Sequence, residues 1–311
     1  MAEYAIIIDT DPGIDDAMAI FYALGAAEID VLALTTVYGN VGIELTTTNA
    51  LRLLEVAGRA DIPVARGSAR PLTRPFDGGA PFVHGADGQG DAGLPQPTTR
   101  ESGTRATQLI YETVAGRPGE VTIVTLGPLT NLALLLIERP EIVRLVRGVV
   151  AMGGNVYAPG NASPTAEANI LNDPEAAEIV LAADWPVTLI GLDVTHRIEM
   201  TPADLQRMYR IDSARGRLLA QIVPSYHAFY EKHVGSTGIY VHDSTTISFL
   251  RHPDAFTTQS VPVVVDTSDG VSRGKTWPMP RATERRAVTV ATDADARRLI
   301  EAEMTVLEGA G

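Results

Sequence analysis

Four carboxylates crowd into eight residues near the amino terminus: Asp9, Asp11, Asp15 and Asp16, in Asp9-Thr10-Asp11-Pro12-Gly13-Ile14-Asp15-Asp16. Acids so close repel one another, and no Lys, Arg or His occurs before Arg52 to offset them. A bound cation is the simplest remedy. With no cysteine in the chain, thiolate ligands, disulfides and thiol nucleophiles are excluded, which leaves oxygen and imidazole. An oxygen-rich site selects a hard ion, Ca²⁺ or Mg²⁺, and neutral or carbonyl ligands among the carboxylates favour Ca²⁺. Two other readings use the same residues. One is helix capping in a solvated acidic turn. The other is a phosphatase of haloacid-dehalogenase type, in which a strand ending in Asp-x-Asp presents a nucleophile and a Mg²⁺ ligand. That chemistry also needs a basic residue for the phosphoryl group and a later acidic pair. Here Pro12-Gly13 follows Asp11, and neither lysine, Lys232 or Lys275, sits in such a motif. The phosphatase therefore ranks second among enzymes.

The turn must be held by something. Ala5-Ile6-Ile7-Ile8 reads as a buried strand, and the acids follow its carboxyl end, where open α/β sheets bind ligands. Further apolar, β-branched runs of strand length recur at Val31–Val37, Val121–Leu126, Gly148–Met152, Val187–Leu192 and Val261–Val265. Helical patterns fill the intervals: Asp15–Leu24, Glu44–Ala57, Thr104–Ala115, Leu129–Ile137, Pro174–Ala182, Thr201–Arg210 and Arg215–His233. Thr201-Pro202 and Asp173-Pro174 place a capping side chain before a first-turn proline. Alternation of this kind predicts an α/β fold, an open, doubly wound, mostly parallel sheet with helices on both faces, as one domain over 1–311. Gly67–Gly103 and Asp266–Thr283 read as long loops beside a site.

The net charge of -13, with only two lysines, argues against nucleic acid as a partner, because phosphate contacts need clustered cations. No apolar run reaches the roughly 20 residues of a membrane span. Ala5–Ile8 is too short for a signal-peptide core and lacks a basic leader, so a cytoplasmic protein without a membrane partner is expected.

Asp9-Thr10-Asp11-Pro12-Gly13-Ile14-Asp15-Asp16-Ala17 resembles the amino-terminal signature of the inosine-uridine-preferring nucleoside hydrolases. The likeness continues, in the family's order, through Tyr38-Gly39-Asn40, His84-Gly85, Leu126-Gly127-Pro128-Leu129-Thr130-Asn131, Met152-Gly153-Gly154, Ala166-Glu167-Ala168-Asn169, Val241-His242-Asp243 and Arg273-Gly274. It implies the nucleoside hydrolase fold and a Ca²⁺ held by Asp11, Asp16, Asp243 and the backbone carbonyl of Leu126. It implies Asp11 as the base that activates a metal-bound water. Asp15 and Asn40 would meet the ribose 2′ side, Asp243 and Asn169 its 3′-hydroxyl, and Asn161 and Glu167 its 5′-hydroxyl, with Met152 also on the substrate side. The reaction implied is hydrolysis of a ribonucleoside to free base and ribose, by a homodimer or homotetramer. A non-catalytic nucleoside or ribose sensor is the alternative from another class; retention of Asp11 and His242 weighs against it.

Hydrolysis of an N-glycosidic bond builds positive charge on the ribose and negative charge on the departing base. His242, beside Asp243, is the first candidate to supply the base with a proton; His84 and Tyr230 are secondary ones. In one respect the chain departs from the resemblance. Ala168 stands where the family usually carries an aromatic residue, which predicts a more open pocket that Tyr157 could fill. Val234 stands where some purine-active members carry a polar group, so the preferred base stays open.

Overall fold

The computed structural model describes residues 3–281 and 284–309. Its centre is an eight-stranded sheet of β1 (Tyr4–Thr10), β2 (Ile29–Thr36), β3 (Val64–Arg66), β4 (Val121–Thr125), β5 (Gly148–Met152), β6 (Val187–Ile190), β7 (Phe256–Val261) and β8 (Val288–Ala294). The spatial order is β3-β2-β1-β4-β5-β6-β8-β7, parallel throughout except for β7, which runs antiparallel to β8 at the edge. The predicted mostly parallel α/β sheet is therefore present.

Ile6, Ile7 and Ile8 are all fully buried, which explains their unbroken apolar run: both faces of β1 are covered. Ile6 and Ile8 pack into one core cluster and Ile7 into the other, as a period of two demands. The strand order reverses between β1 and β4. The loops leaving their carboxyl ends diverge there and open a crevice. Asp9 lies opposite Thr125, so Asp11 and Leu126 both emerge at this point.

The strand read as Val261–Val265 is two strands. Pro262 separates β7 from Val263–Val265, which pairs antiparallel with Thr276–Pro278 in a small separate ladder. A proline cannot donate to a ladder, and the chain changes sheets there. The region read as a loop, Gly67–Gly103, contains a single turn of helix at Pro81–His84, and that read over Asp266–Thr283 contains Thr276–Pro278; Ala282 and Thr283 lie outside the described residues. The helix read as Arg215–His233 is α-helical over Ala214–Phe229 and widens to π geometry over Tyr230–Val234. Among the described residues no helix is long and apolar enough to cross a membrane.

Candidate active site

The floor of the crevice is acidic. β1 ends at Thr10, the Pro12-Gly13 turn reverses the chain, and the helix Ile14–Gly25 begins. Gly13 N–H donates to Asp16 Oδ2 at 2.9 Å, and the Thr10 hydroxyl donates to Asp16 Oδ1. These bonds lock Asp16 into the first turn, where the helix dipole favours negative charge. Asp11 lies between two glycines: a Cβ on Gly39 or on Gly127 would overlap its carboxylate oxygens. Both glycines of the resembling motifs thus leave room for one side chain. Asp11 Oδ2 accepts from Asn40 N–H at 2.7 Å, while Asp11 Oδ1 and Asp15 Oδ1 are buried without a hydrogen-bond partner.

Asp9 has a different task. Its Oδ1 accepts from Thr35 Oγ1 at 2.5 Å and Asn131 Nδ2 at 2.8 Å, and burial raises its pKa to about 7. Asn131 also donates to Thr36 O and accepts from Ser68 N–H. The Asp9–Asn131 pair therefore ties β1, β2 and the loops beyond them, beneath the site rather than in it.

Carboxylate oxygens of Asp15, Asp16 and Asp243 lie within 4.8 Å of one another. Asp11 stands outside that trio but is coupled to it by charge: burial, then Asp16, holds its pKa well above the usual carboxylate range. Asp243 is raised by burial and then by Asp15, Asp16 and Asp11; Asp16 by burial and then Asp15; Asp15 by burial, to about 6. Three buried acids and the half-buried Asp15, with two orphaned oxygens and, among the described residues lining the cavity, no Lys or Arg, fit a divalent cation. Leu126 O, beside this cluster, accepts from Asn169 Nδ2 at 2.7 Å, and a carbonyl has a second lone pair.

Above the floor is a cavity of about 430 Å³. Asp15, Asn40, His84, Leu126, Met152, Asn161, Glu167, Asn169, Tyr230, His242 and Asp243 all line it, so residues scattered over two hundred positions converge on one space. Asp11 and Asp16 lie beneath the lining, 1% and 0% exposed.

A model of the inosine-uridine preferring nucleoside hydrolase family matches residues 6–301. The chain belongs to that family. As a nucleoside hydrolase it acts on an N-glycosyl bond. It is 41% identical over 271 residues to uridine nucleosidase 1 of Arabidopsis thaliana, covering 87% of this chain and 80% of that one. To the inosine-uridine preferring nucleoside hydrolase of Leishmania major it is 40% identical over 93% of both chains. The solved structure of a plant nucleoside hydrolase superposes with a TM-score of 0.95 at 38% identity, covering 98% and 99% of the two chains.

In this hydrolase each polar group of the cavity has a definite share of its bonding spent. Asn40 Nδ2 donates to Asp11 O at 3.2 Å and Asp16 Oδ2 at 3.1 Å, and Asn169 Nδ2 to Leu126 O and Met152 O. Their amide oxygens are left as acceptors. Glu167 caps the Ala168–Asn172 helix, taking the N–H groups of Asn169 and Ile170, and its Oε2 also takes that of Gly154. Asn161 Oδ1 accepts from Ala168 N–H. His84 Nδ1 accepts from Ile14 N–H at 3.2 Å, and burial lowers its pKa to about 4.

His242 has both ring nitrogens engaged, Nε2 with the Tyr230 hydroxyl at 2.9 Å and Nδ1 with Thr195 Oγ1 at 2.8 Å. Burial first, then His196 and His84, lowers its pKa to about 3, so it is neutral at pH 7. Tyr226, absent from the sequence reading, continues the chain: its hydroxyl lies 3.3 Å from that of Tyr230 and donates to Asp15 Oδ2 at 3.1 Å. Its position four residues before Tyr230, on the same helix face, was the available signal. Phe82, Phe229, His196 and Tyr240, equally unforeseen, complete an aromatic wall, and Val234 reaches the same cavity. Tyr157 does not fill the space beside Ala168. It is 52% exposed and bonds Gln259 Oε1 at 3.0 Å, because three successive N–H groups from Val156 to Ala158 bind Asp193 and turn that segment outward.

Proposed function

We propose that this nucleoside hydrolase is calcium-dependent, and that it cleaves ribonucleosides to free base and ribose using Asp11 as base and the Tyr230–His242 pair on the leaving-group side. The observation that carries the reading is the buried acidic floor with its two orphaned oxygens, facing a neutral tyrosine–histidine chain across one cavity. Asp16, Asp243, Asp11 and Leu126 O would hold the ion, and the close approach of Asp15 to Asp16 and Asp243 brings its carboxylate to the edge of that set. When bound, the cation polarises a water and fixes the ribose hydroxyls.

Asp11 Oδ1 takes the proton of the attacking water as the oxygen adds to the anomeric carbon. Asp15 Oδ1 accepts from the 2′-hydroxyl with Asn40 beside it, and Asp243 and Asn169 flank the 3′-hydroxyl. Glu167 and Asn161 stand at the 5′ end, Glu167 through the lone pairs its three backbone partners leave over. Met152 packs beneath the sugar. The carboxylates also stabilise the positive charge that grows on the ring. The electron pair of the broken bond passes to the base, which receives a proton from the wall formed by Tyr230, His242 and His84. Assembly as a homodimer or homotetramer follows from the family resemblance and is read by light scattering.

The test is release of reducing sugar from inosine, uridine, cytidine and adenosine, with Ca²⁺ and after chelation. Turnover of at least one nucleoside, lost with the metal and restored by Ca²⁺, is the expected result. No turnover with metal present, or full turnover after chelation, would overturn the proposal. Tight binding without turnover would favour a sensor.

A further inference from the structure

The five groups from Thr195 to Asp15 form a chain whose hydrogens can be assigned from its two ends. At one end, an ionised Asp15 only accepts, so Tyr226 spends its single proton there. The Tyr226 oxygen can then meet Tyr230 only as an acceptor, which commits the Tyr230 proton to Tyr226 in the resting state. His242 Nε2 must therefore be a donor to Tyr230. At the other end, Thr195 is fully buried on the short helix Leu192–Thr195, and among the described residues its hydroxyl has no partner but His242 Nδ1. A buried hydroxyl donor left unpaired loses its hydration with nothing in return, so Thr195 donates and Nδ1 accepts. Both ends demand one tautomer.

The two ends are not equal in strength. The Tyr226–Tyr230 contact of 3.3 Å is the loosest link, beyond the usual O–H···O range, whereas Thr195 to His242 is 2.8 Å. We propose that Thr195 is a positioning residue that fixes His242 as its Nε2–H tautomer, making Tyr230 rather than His242 the donor presented to the departing base. When a base enters, the Tyr230 hydroxyl leaves its weak contact with Tyr226 and turns to a nitrogen or oxygen of the base. As the N-glycosidic bond breaks and its electron pair moves to the base, the Tyr230 proton follows. The charge left on the Tyr230 oxygen is held by His242 Nε2–H, and Tyr230 regains a proton from solvent after product release. The other titratable groups facing His242 are His196, with ring centroids 5.7 Å apart, and Tyr240 at 6.1 Å, with Asp243 adjacent in sequence and His84 near enough to act through charge.

The tautomer assignment stands on the Thr195 contact, which needs no charge on Asp15; the role of Tyr230 rests on the hydrolase mechanism proposed above. Nitrogen-15 spectra of the full-length protein with labelled histidine separate the two, with His242 identified by its loss in His242→Gln. Expected at pH 7.5 is an unprotonated Nδ1 and a protonated Nε2. Thr195→Val, which keeps shape and removes the donor, should populate both tautomers and lower kcat on the preferred nucleoside by about 10-fold or more with KM changed less than about 3-fold. Thr195→Ser should keep the single tautomer and the rate. A protonated Nδ1 in the unmodified protein would overturn the assignment whether or not any nucleoside is turned over, and so would loss of the Nε2–H form in Thr195→Ser. A Thr195→Val protein retaining one tautomer and full kcat would show that Thr195 sets nothing. If that variant does not fold, the spectra of the unmodified protein and Thr195→Ser still decide.

Discussion

Asp11 is the residue whose environment is most specialised. It is buried, hemmed by two glycines, bonded through one oxygen to Asn40 N–H and left with the other oxygen free. Its raised pKa means that the ionised form is costly without a cation, so the base proposed here would be held at the expense of stability. Asp11→Asn removes both the proposed base and the buried charge. We expect kcat to fall by about 10³-fold, within the range for loss of general-base catalysis, while thermal stability measured without metal holds or rises because repulsion with Asp16 is relieved. Activity within about 10-fold of the unmodified enzyme would assign the base elsewhere. A general destabilisation of the fold would mean that Asp11 is mainly structural.

At the scale of elements, the chemistry was legible where it lies on strands that are buried on both faces. The run through Ile6-Ile7-Ile8 is unbroken because β1 is central, and the acids that follow it therefore land at the switch point. The far edge was less legible. β8 alternates buried Val288 and Val290 with half-buried Thr289, a pattern easily lost in a polar stretch, and the helix Ala296–Gly309 that follows it was not read despite Leu299, Ile300, Met304 and Leu307 at helical spacing. The helix Ser244–Arg251 was missed too, its buried face being largely Ser and Thr. Tyr226 escaped because a tyrosine on a helix face is usually core; only the folded position of Asp15 gives its hydroxyl a task. Ala296–Gly309 carries a further buried acid, Glu303, which accepts from Ser244 Oγ at 2.7 Å next to Asp243. Burial raises its pKa from 4.5 to about 7. Between those values the folded protein keeps a proton that the unfolded chain has lost, so this group lowers stability as pH rises through the window. Glu303→Gln keeps an acceptor for Ser244 and carries no charge. Urea unfolding should show it nearly equal to the unmodified protein at pH 4 and more stable at pH 8, by about 3 kcal/mol at most. Equal midpoints at both pH values would refute the assignment.

On the scale of the whole molecule, the acidic site fastens distant parts of the chain together. Asp16 belongs to the first helix, Leu126 follows β4, and Asp243 precedes the helix Ser244–Arg251, so an ion held among them as proposed would close loops of more than a hundred residues. A net charge of -13 adds a general repulsion that a divalent cation partly offsets. Metal should therefore stabilise the fold as well as serve the reaction. At a free concentration one hundred times the dissociation constant, the gain is about 2.7 kcal/mol, or roughly 5 °C in Tm for a chain of this size. The gain must be lost at low pH, because the ion binds the ionised carboxylates and Asp15 takes up a proton as pH falls through about 6 in the metal-free protein. Scanning calorimetry with Ca²⁺ and with chelator, at pH 8 and pH 5, tests both statements. The Ca²⁺-dependent rise in Tm should be clear at pH 8, small at pH 5, and absent at either pH in Asp243→Asn, which keeps the shape of the site but removes one of the converging charges. A rise that persists unchanged in Asp243→Asn would place the stabilising ion at another site.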